Sequence, residues 1–295
     1  MQNDFPDIEF RNVSVSFDDT PALTNISFKV DRGEMIFLSG ASGSGKSVLL
    51  RLVIGLLKPD DGQIFVKGQE FDNLDESALL AVRGGLMGMV FQEDSLFTGM
   101  SVYENVAYRL EEHEWDDESI EKAVTEVLRF VGLEGEEDKL PDELSGGMKR
   151  RVEIARALIG WPSIMLFDEP TTGLDPIVAL QVMELILLAR DLNQISSIYV
   201  TKKLYEIPYL ASYRAEADST GAISVIQAPP DRVPRTRVML LDSGRLAFSG
   251  CVEEFQKSDD PVVKDLIALD RHDHSKEPYF ADPWDKRRKP KEEIP

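Results

Sequence analysis

Cysteine is nearly absent. The 295 residues contain only Cys251, which excludes an intramolecular disulfide and suits a reducing compartment. Long apolar runs are missing too. Leu49–Leu57 is interrupted by Arg51 and Leu185–Ala189 is short, whereas a membrane-spanning helix needs roughly 18 apolar residues. The opening MQNDFPDIEF has neither a basic nor an apolar region, so no signal peptide is expected. Positive charge is scarce: 33 Lys and Arg stand against 53 Asp and Glu, a net charge of −20. That balance excludes a general nucleic-acid binder, which needs a basic face. The acid is concentrated between Ser101 and Glu143, where 15 carboxylates face 4 basic residues, as expected of a solvated surface of helices and loops.

What is present begins with Gly40-Ala41-Ser42-Gly43-Ser44-Gly45-Lys46-Ser47, which matches the phosphate-cradling pattern G-x-x-x-x-G-K-[ST]. The strand-like Met35–Leu38 precedes it and the helix-like Val48–Leu57 follows. Glycines let the backbone wrap closely around phosphate oxygens, and the N–H groups at the start of the helix point at them. Lys46 is placed to reach the β- and γ-phosphates, and Ser47 to ligate Mg²⁺.

Around this loop the chain alternates strands and helices. Ile8-Glu-Phe-Arg-Asn-Val-Ser-Val-Ser-Phe17 and Ile26–Val30 alternate apolar and polar residues, and Asp61-Gly62 is a turn signal before Gln63–Lys67. These predict antiparallel β structure beside the core. Amphipathic spacing predicts helices over Ser119–Val131, Met148–Ile159 and Ile177–Leu192. Ser163–Phe167 and Ser197–Thr201 are short apolar stretches of the kind buried in a parallel sheet. No internal repeat is found. Two stretches break the alternation: the polar Tyr213–Thr236 with Pro229, Pro230 and Pro234, and a tail from Arg271 with the basic run Lys286–Lys291.

Further motifs complete the site. Ile164-Met-Leu-Phe-Asp168-Glu169 is an apolar strand ending in two carboxylates. The first suits Mg²⁺, and the second can orient or deprotonate a water attacking the γ-phosphate. In Leu144-Ser145-Gly146-Gly147-Met148, Ser145 is an N-cap candidate and the glycines bare the backbone at a helix start. The order of these motifs, closed by Gly173-Leu174-Asp175-Pro176, resembles the nucleotide-binding domain of ABC ATPases over about residues 8–255.

That resemblance implies an α/β fold: a P-loop NTPase (RecA-like) core with an antiparallel β subdomain and an α-helical signature subdomain at about 93–160, an insertion at about 213–236 and a C-terminal extension over 256–295. It implies Gln92 in Met89-Val-Phe-Gln92 as a Q-loop residue at the Mg²⁺, Phe17 as the aromatic that stacks on adenine, and Asp175 in the D-loop. It further implies a head-to-tail homodimer in which each ATP lies between one copy's P-loop and the other's Ser145–Gly147. Both sites are then assembled on closure, and catalysis is positioning plus charge stabilisation.

One position departs from the family. Its histidine after the strand Ser197–Thr201 is replaced by Lys202, and His113, His272 and His274 all lie elsewhere. A lysine can donate to a γ-phosphate but cannot accept a hydrogen bond as neutral imidazole can. Glu169 remains, so ATP hydrolysis is expected to be retained at a slow or altered rate, with Lys202 contacting ATP. Glu93–Tyr108, Leu144–Arg151 and Gly250–Leu266 look like the ATPase subunits of Mla/Mce-type phospholipid transporters. The implied partners are a permease dimer in the membrane and an Mce-domain lipid-binding protein, with this chain on the cytoplasmic inner face of the cell membrane. Related small-solute importers and a slow nucleotide-dependent regulator are the alternative functions. For the tail, with Tyr279, Phe280 and Trp284, three readings stand: an embrace of the opposite copy, contact with anionic lipid headgroups, or disorder.

Overall fold

The computed structural model describes residues 5–274 apart from 94, 114, 218–221 and 230–231. Ile8–Phe17 (β1) and Thr20–Val30 (β2) pair across the two-residue turn Asp18-Asp19, whose residues both have positive φ. That primed geometry matches the twist of the strands it joins. Asp61–Val66 (β4) lies antiparallel on the other side of β1, followed by Gln69–Glu70 (β5). The antiparallel layer expected from the alternating pattern is therefore present.

The second sheet carries the site. Met35–Ser39 (β3) lies between Thr236–Asp242 (β11) and Ser196–Val200 (β8). Ile164–Asp168 (β7) and Met87–Val90 (β6) follow on the β8 side, and all five strands run parallel. Arg245–Gly250 (β12) closes the other edge antiparallel to β11. The central strands are buried on both faces, and the alternation of their side chains divides the interior. Ile36, Leu38, Ile164 and Leu166 face the antiparallel layer and the helix Lys46–Val53 (α1). Met35, Phe37, Met165 and Phe167 face the helices beyond. Each such fully buried large side chain contributes about 1.5–3 kcal/mol of transfer free energy.

Those helices are Val102–Glu112 (α3), Asp117–Phe130 (α4), Gly146–Leu158 (α5) and Pro176–Asn193 (α6); Glu76–Leu86 (α2) lies before β6. The helix expected to run to Leu57 stops at Val53. Gly55 adopts φ +67°, while Gly55 N–H donates to Leu52 O and Leu56 N–H to Arg51 O. This is the Schellman pattern that ends helices at a glycine.

The polar stretch 213–236 holds more order than its composition signals. Tyr213–Ala217 (β9) and Ile223–Gln227 (β10) form an antiparallel hairpin. It is fastened to α6 by Ala215 N–H on Asp191 (2.7 Å) and Arg190 on Tyr213 O (2.9 Å). Three further helices, Glu206–Ser212 (α7), Val252–Gln256 (α8) and Pro261–His274 (α9), complete the described chain. Val263 of α9 is buried in the same apolar core as Phe255 and Leu204. Tyr279, Phe280, Trp284 and the run Lys286–Lys291 lie outside the described residues, so the three readings of the tail are not addressed.

Two glycines in the α2–β6 segment make opposite demands. A Cβ on Gly88 would meet Ala157 O at 2.1 Å, whereas one on Gly85, in α2, meets nothing within 4 Å. Gly88→Ala is expected to destabilise the chain by about 2 kcal/mol through forced movement of α5. Gly85→Ala is expected to stabilise it by about 0.5–1 kcal/mol. Urea unfolding followed by circular dichroism measures both.

Candidate functional site

All the sequence-identified catalytic candidates emerge from the C-terminal ends of β3, β8, β7 and β6, the edge where parallel α/β sheets place their ligands. The loop after β3 is built from positive-φ glycines: Gly40, Gly43 and Gly45 have φ of 146°, 79° and 105°. A Cβ on Gly40 would lie 2.2 Å from Leu241 O, and one on Gly45 would lie 2.6 Å from a Leu23 methyl. Only glycine fits both conformation and space there.

Helices α2 to α6 each have a side-chain cap, from Asp75, Ser101, Asp116, Ser145 and Asp175. Helix α1 does not: its N-cap is Gly45, with no capping hydrogen bond and no acid in the first turn. Its first N–H groups and its positive dipole end are thus left for an anion. Lys46 is buried and spans the loop, its ammonium 2.7 Å from Gly40 O and 2.8 Å from Ala41 O.

Two carboxylates follow β7. Burial pushes the Asp168 carboxyl above its ordinary value, and Glu169 adds to this; Lys46, Lys202 and a hydrogen bond from Ser47 pull it down. Burial pushes the Lys46 ammonium down, Lys202 adds to this, and Glu169 and Asp168 oppose. Lys46, Ser47, Asp168, Glu169 and Lys202 therefore form one electrostatic cluster. Glu169 is buried at φ 49°, a left-handed conformation costing about 1–2 kcal/mol outside glycine. The donor set of the Ser47 hydroxyl and the Asp168 carboxylate is all oxygen. It fits Mg²⁺, which takes one or two carboxylates, waters and substrate phosphates rather than a full protein cage. The described residues contain no group of three or more His, Cys, Asp and Glu that could hold a metal ion.

Lys202 was expected at the nucleotide. The structure places its ammonium 2.7 Å from Glu169 Oε1, and Thr172 Oγ1 donates to the other oxygen at 3.2 Å. The residue in the switch position thus pairs with the candidate general base. Below both lies Glu206, which sequence reasoning missed. It is fully buried and accepts from Tyr199 (2.8 Å), Thr201 (2.8 Å) and Thr171, so it ties the loop after β7 to the loop after β8. Its one signal is a carboxylate four residues past Lys202, which spacing alone cannot distinguish from a surface acid.

The remaining candidates are not all at the P-loop. Phe17 is 45% exposed at the end of β1, not a core residue. Ser145 Oγ accepts from Met148 N–H at 3.3 Å, as an N-cap does. Gly147 lets α5 press against α6, because a Cβ there would lie 2.7 Å from a Val178 methyl. Asp175 caps α6, accepting from Ile177 and Val178 N–H at 3.1 Å. Gln92, Gly146 and Thr172–Leu174 line a separate cleft of about 490 Å³ that includes no P-loop residue. Arg150 of α5 donates to Phe91 O and Gln92 O at 2.6 and 3.1 Å, so the loop after β6 moves with the helix that begins at Ser145.

Comparison with known proteins agrees with this geometry. Residues 23–172 match the family model described as ABC transporter. The chain is 38% identical over 267 residues to Protein TRIGALACTOSYLDIACYLGLYCEROL 3, chloroplastic, of Arabidopsis thaliana, covering 87% of this chain and 72% of that protein. It is 43% identical over 183 residues to Methionine import ATP-binding protein MetN 1 of Staphylococcus epidermidis, covering 61% of this chain and 53% of that one. Among solved structures, the dimeric post-hydrolysis state of the ATP-binding cassette MJ0796 bound to ADP and Pi superposes with a TM-score of 0.68 at 26% identity. It covers 82% of this chain and 97% of that one.

The raised Asp168 group yields a linkage prediction. A carboxyl whose folded value lies above its unfolded one withdraws stability as pH rises through the folded value. Asp168→Asn should therefore raise the melting temperature of the nucleotide-free chain at pH 7. The gain should vanish as pH falls below about 3, where aspartate is protonated in both states. The same variant should lose any shift in melting temperature caused by Mg²⁺ with ATP. Scanning calorimetry across pH reads both.

Proposed function

Because the chain belongs to the ABC transporter family, as an ATPase domain, we propose that it is the ATP-hydrolysing subunit of a membrane transporter that moves phospholipid or another lipid through a separate permease. The observation that carries the ATPase reading is the cluster at the sheet edge: a lysine inside a glycine loop, an oxygen pair suited to Mg²⁺, and the buried Glu169 beside them. Glu169 is the general base or orienter of the attacking water, Lys46 and the first N–H groups of α1 hold the phosphates, and Ser47 and Asp168 would hold Mg²⁺, with Gln92 reaching it once the loop after β6 closes on the nucleotide. Mg²⁺ bound at these residues would supply positive charge against the phosphates. Lys202 exchanges its Glu169 partner for the γ-phosphate as nucleotide enters, freeing the base at the moment the charge is needed. Phe17, being exposed, is available to adenine.

Gly146 lines a cleft that includes no P-loop residue of its own chain, and the cassette that superposes on this one is dimeric. Both support a head-to-tail dimer in which Ser145 N-caps the second anion site and Asp175 lies in the loop between the copies.

A membrane partner is supported by a groove of about 420 Å³ beside the loop after β6, floored by Leu80, Met87 and Met89 and edged by Phe91, Phe97, Arg109 and Arg156. Phe91 and Phe97 are each at least 40% exposed. Such a groove suits a short apolar helix of a permease. Arg156 also donates to Ser95 O at 2.8 Å, and Arg150 holds Gln92, so a push in the groove reaches the ATP site through α5. No helix among the described residues is long and apolar enough to cross a membrane, which fits a chain seated on the inner face of a membrane.

Lipid cargo draws on the plant relative, whose name is that of a glycolipid, and the Mce-domain partner is left to the same test. The methionine importer relative favours a second reading, small-solute import.

Purification from membranes decides between them. A co-purifying permease with bound phospholipid supports the lipid reading, and an Mce-domain protein in the same complex supports that partner. A permease with an amino acid or other small solute replaces the lipid reading, and no permease removes the transporter reading. On the isolated chain, Glu169→Gln should hydrolyse ATP about 10²–10⁴-fold more slowly with nearly unchanged affinity, and should dimerise in ATP by light scattering. Lys202→Ala should lower turnover; unchanged turnover and affinity would sink its role.

A further inference from the structure

The loop that carries Lys202 is held from the far end of the chain. Leu204 is fully buried, and its N–H donates at 2.8 Å to Oδ1 of Asp270 in α9. On the other side of Lys202, Thr201 donates to Glu206 at 2.8 Å and accepts from Lys203 N–H at 2.9 Å. Lys203 Nζ reaches Thr171 O at 3.2 Å. The residues before and after Lys202 are therefore fastened, and its ammonium sits 2.7 Å from Glu169 between them. Helix α9 is itself held by buried Val263, with Leu266 and Ile267 packed on the same core as Leu204 and Ile207.

We infer that Asp270 is a positioning residue of the ATPase, acting through Lys202: α9 is a working part of the hydrolytic site and not only an appendage. The physical reason is that a buried N–H left without an acceptor costs about 1–3 kcal/mol. Without the Asp270 carboxylate, the loop after β8 relieves that cost by moving Leu204 toward water, and Lys202, two residues away, leaves its place beside Glu169. Misplacing a charge-donating group by about 1 Å is enough to lower turnover substantially without weakening binding. Asparagine keeps an oxygen at Oδ1 that can accept from the Leu204 N–H, so it can replace aspartate at this bond.

The inference rests on the ATPase reading above, and the test separates the two. In hydrogen–deuterium exchange of the full chain, peptides covering 201–205 should exchange about tenfold faster in Asp270→Ala and close to the parent rate in Asp270→Asn. Turnover at saturating Mg²⁺ and ATP should fall about tenfold in Asp270→Ala with the ATP Kd within about twofold, and Asp270→Asn should recover most of it. In a Lys202→Ala background, adding Asp270→Ala should change turnover less than about twofold, since both act through one group. Parent-like exchange or turnover in Asp270→Ala, an asparagine variant as impaired as alanine, or an undiminished tenfold loss on top of Lys202→Ala would each overturn it. Should the parent chain bind no ATP, the ATPase reading fails, while the exchange measurement still decides whether Asp270 holds the loop.

Discussion

Lys46 lies buried inside the loop it belongs to, tied to the carbonyls of Gly40 and Ala41, and the charges around it follow from that placement. A buried ammonium needs carboxylates nearby, and Asp168 and Glu169 are delivered by the strand two places away in the sheet. Two buried carboxylates in turn need cations, and Lys202, from the strand between, supplies the second. The cluster is closed electrostatically in the free chain. An entering nucleotide brings its own negative charge and its Mg²⁺, so binding must redistribute partners that are already in place.

The two faces of the parallel sheet give the cluster its two kinds of neighbour. The side shared with the antiparallel layer is a dense apolar core over β1, β2, β4 and α1, and it holds the P-loop rigid. The other side carries α3 to α6, where polar links thread between elements: Arg150 to the loop after β6, Glu206 between the loops after β7 and β8, and Asp270 to Leu204. Both sides are fixed by apolar packing, and the helical side adds these hydrogen bonds, which can be exchanged one at a time.

Much of this was legible in the sequence. Glycines at fixed spacing before Lys46 require positive φ, and the apolar runs ending at Ser39, Asp168 and Val200 require burial on both faces; each is a local property. The strands β5, β6, β11 and β12, the hairpin β9–β10 and helices α2, α3, α7, α8 and α9 were not. β6 is four residues long and β10 is largely exposed, so neither carries enough periodicity to be seen. The pairing of Lys202 with Glu169 was not legible either, because a spacing of 33 residues gives no distance.

What the amino-acid order determined by itself is the chemistry available: a glycine loop with a lysine, an oxygen pair suited to Mg²⁺, a second carboxylate, a capped glycine helix start, and a lysine just past a buried strand. These depend on residue type and short-range spacing, which local backbone sterics and charge translate directly. Only the tertiary structure decided which of these groups meet. Sheet order placed β8 between β3 and β7, so Lys202 fell beside Glu169. Packing of a helix some 66 residues further on brought Asp270 to the Leu204 N–H. Such contacts are set by the burial of surfaces far apart in the chain, a constraint that no local pattern records.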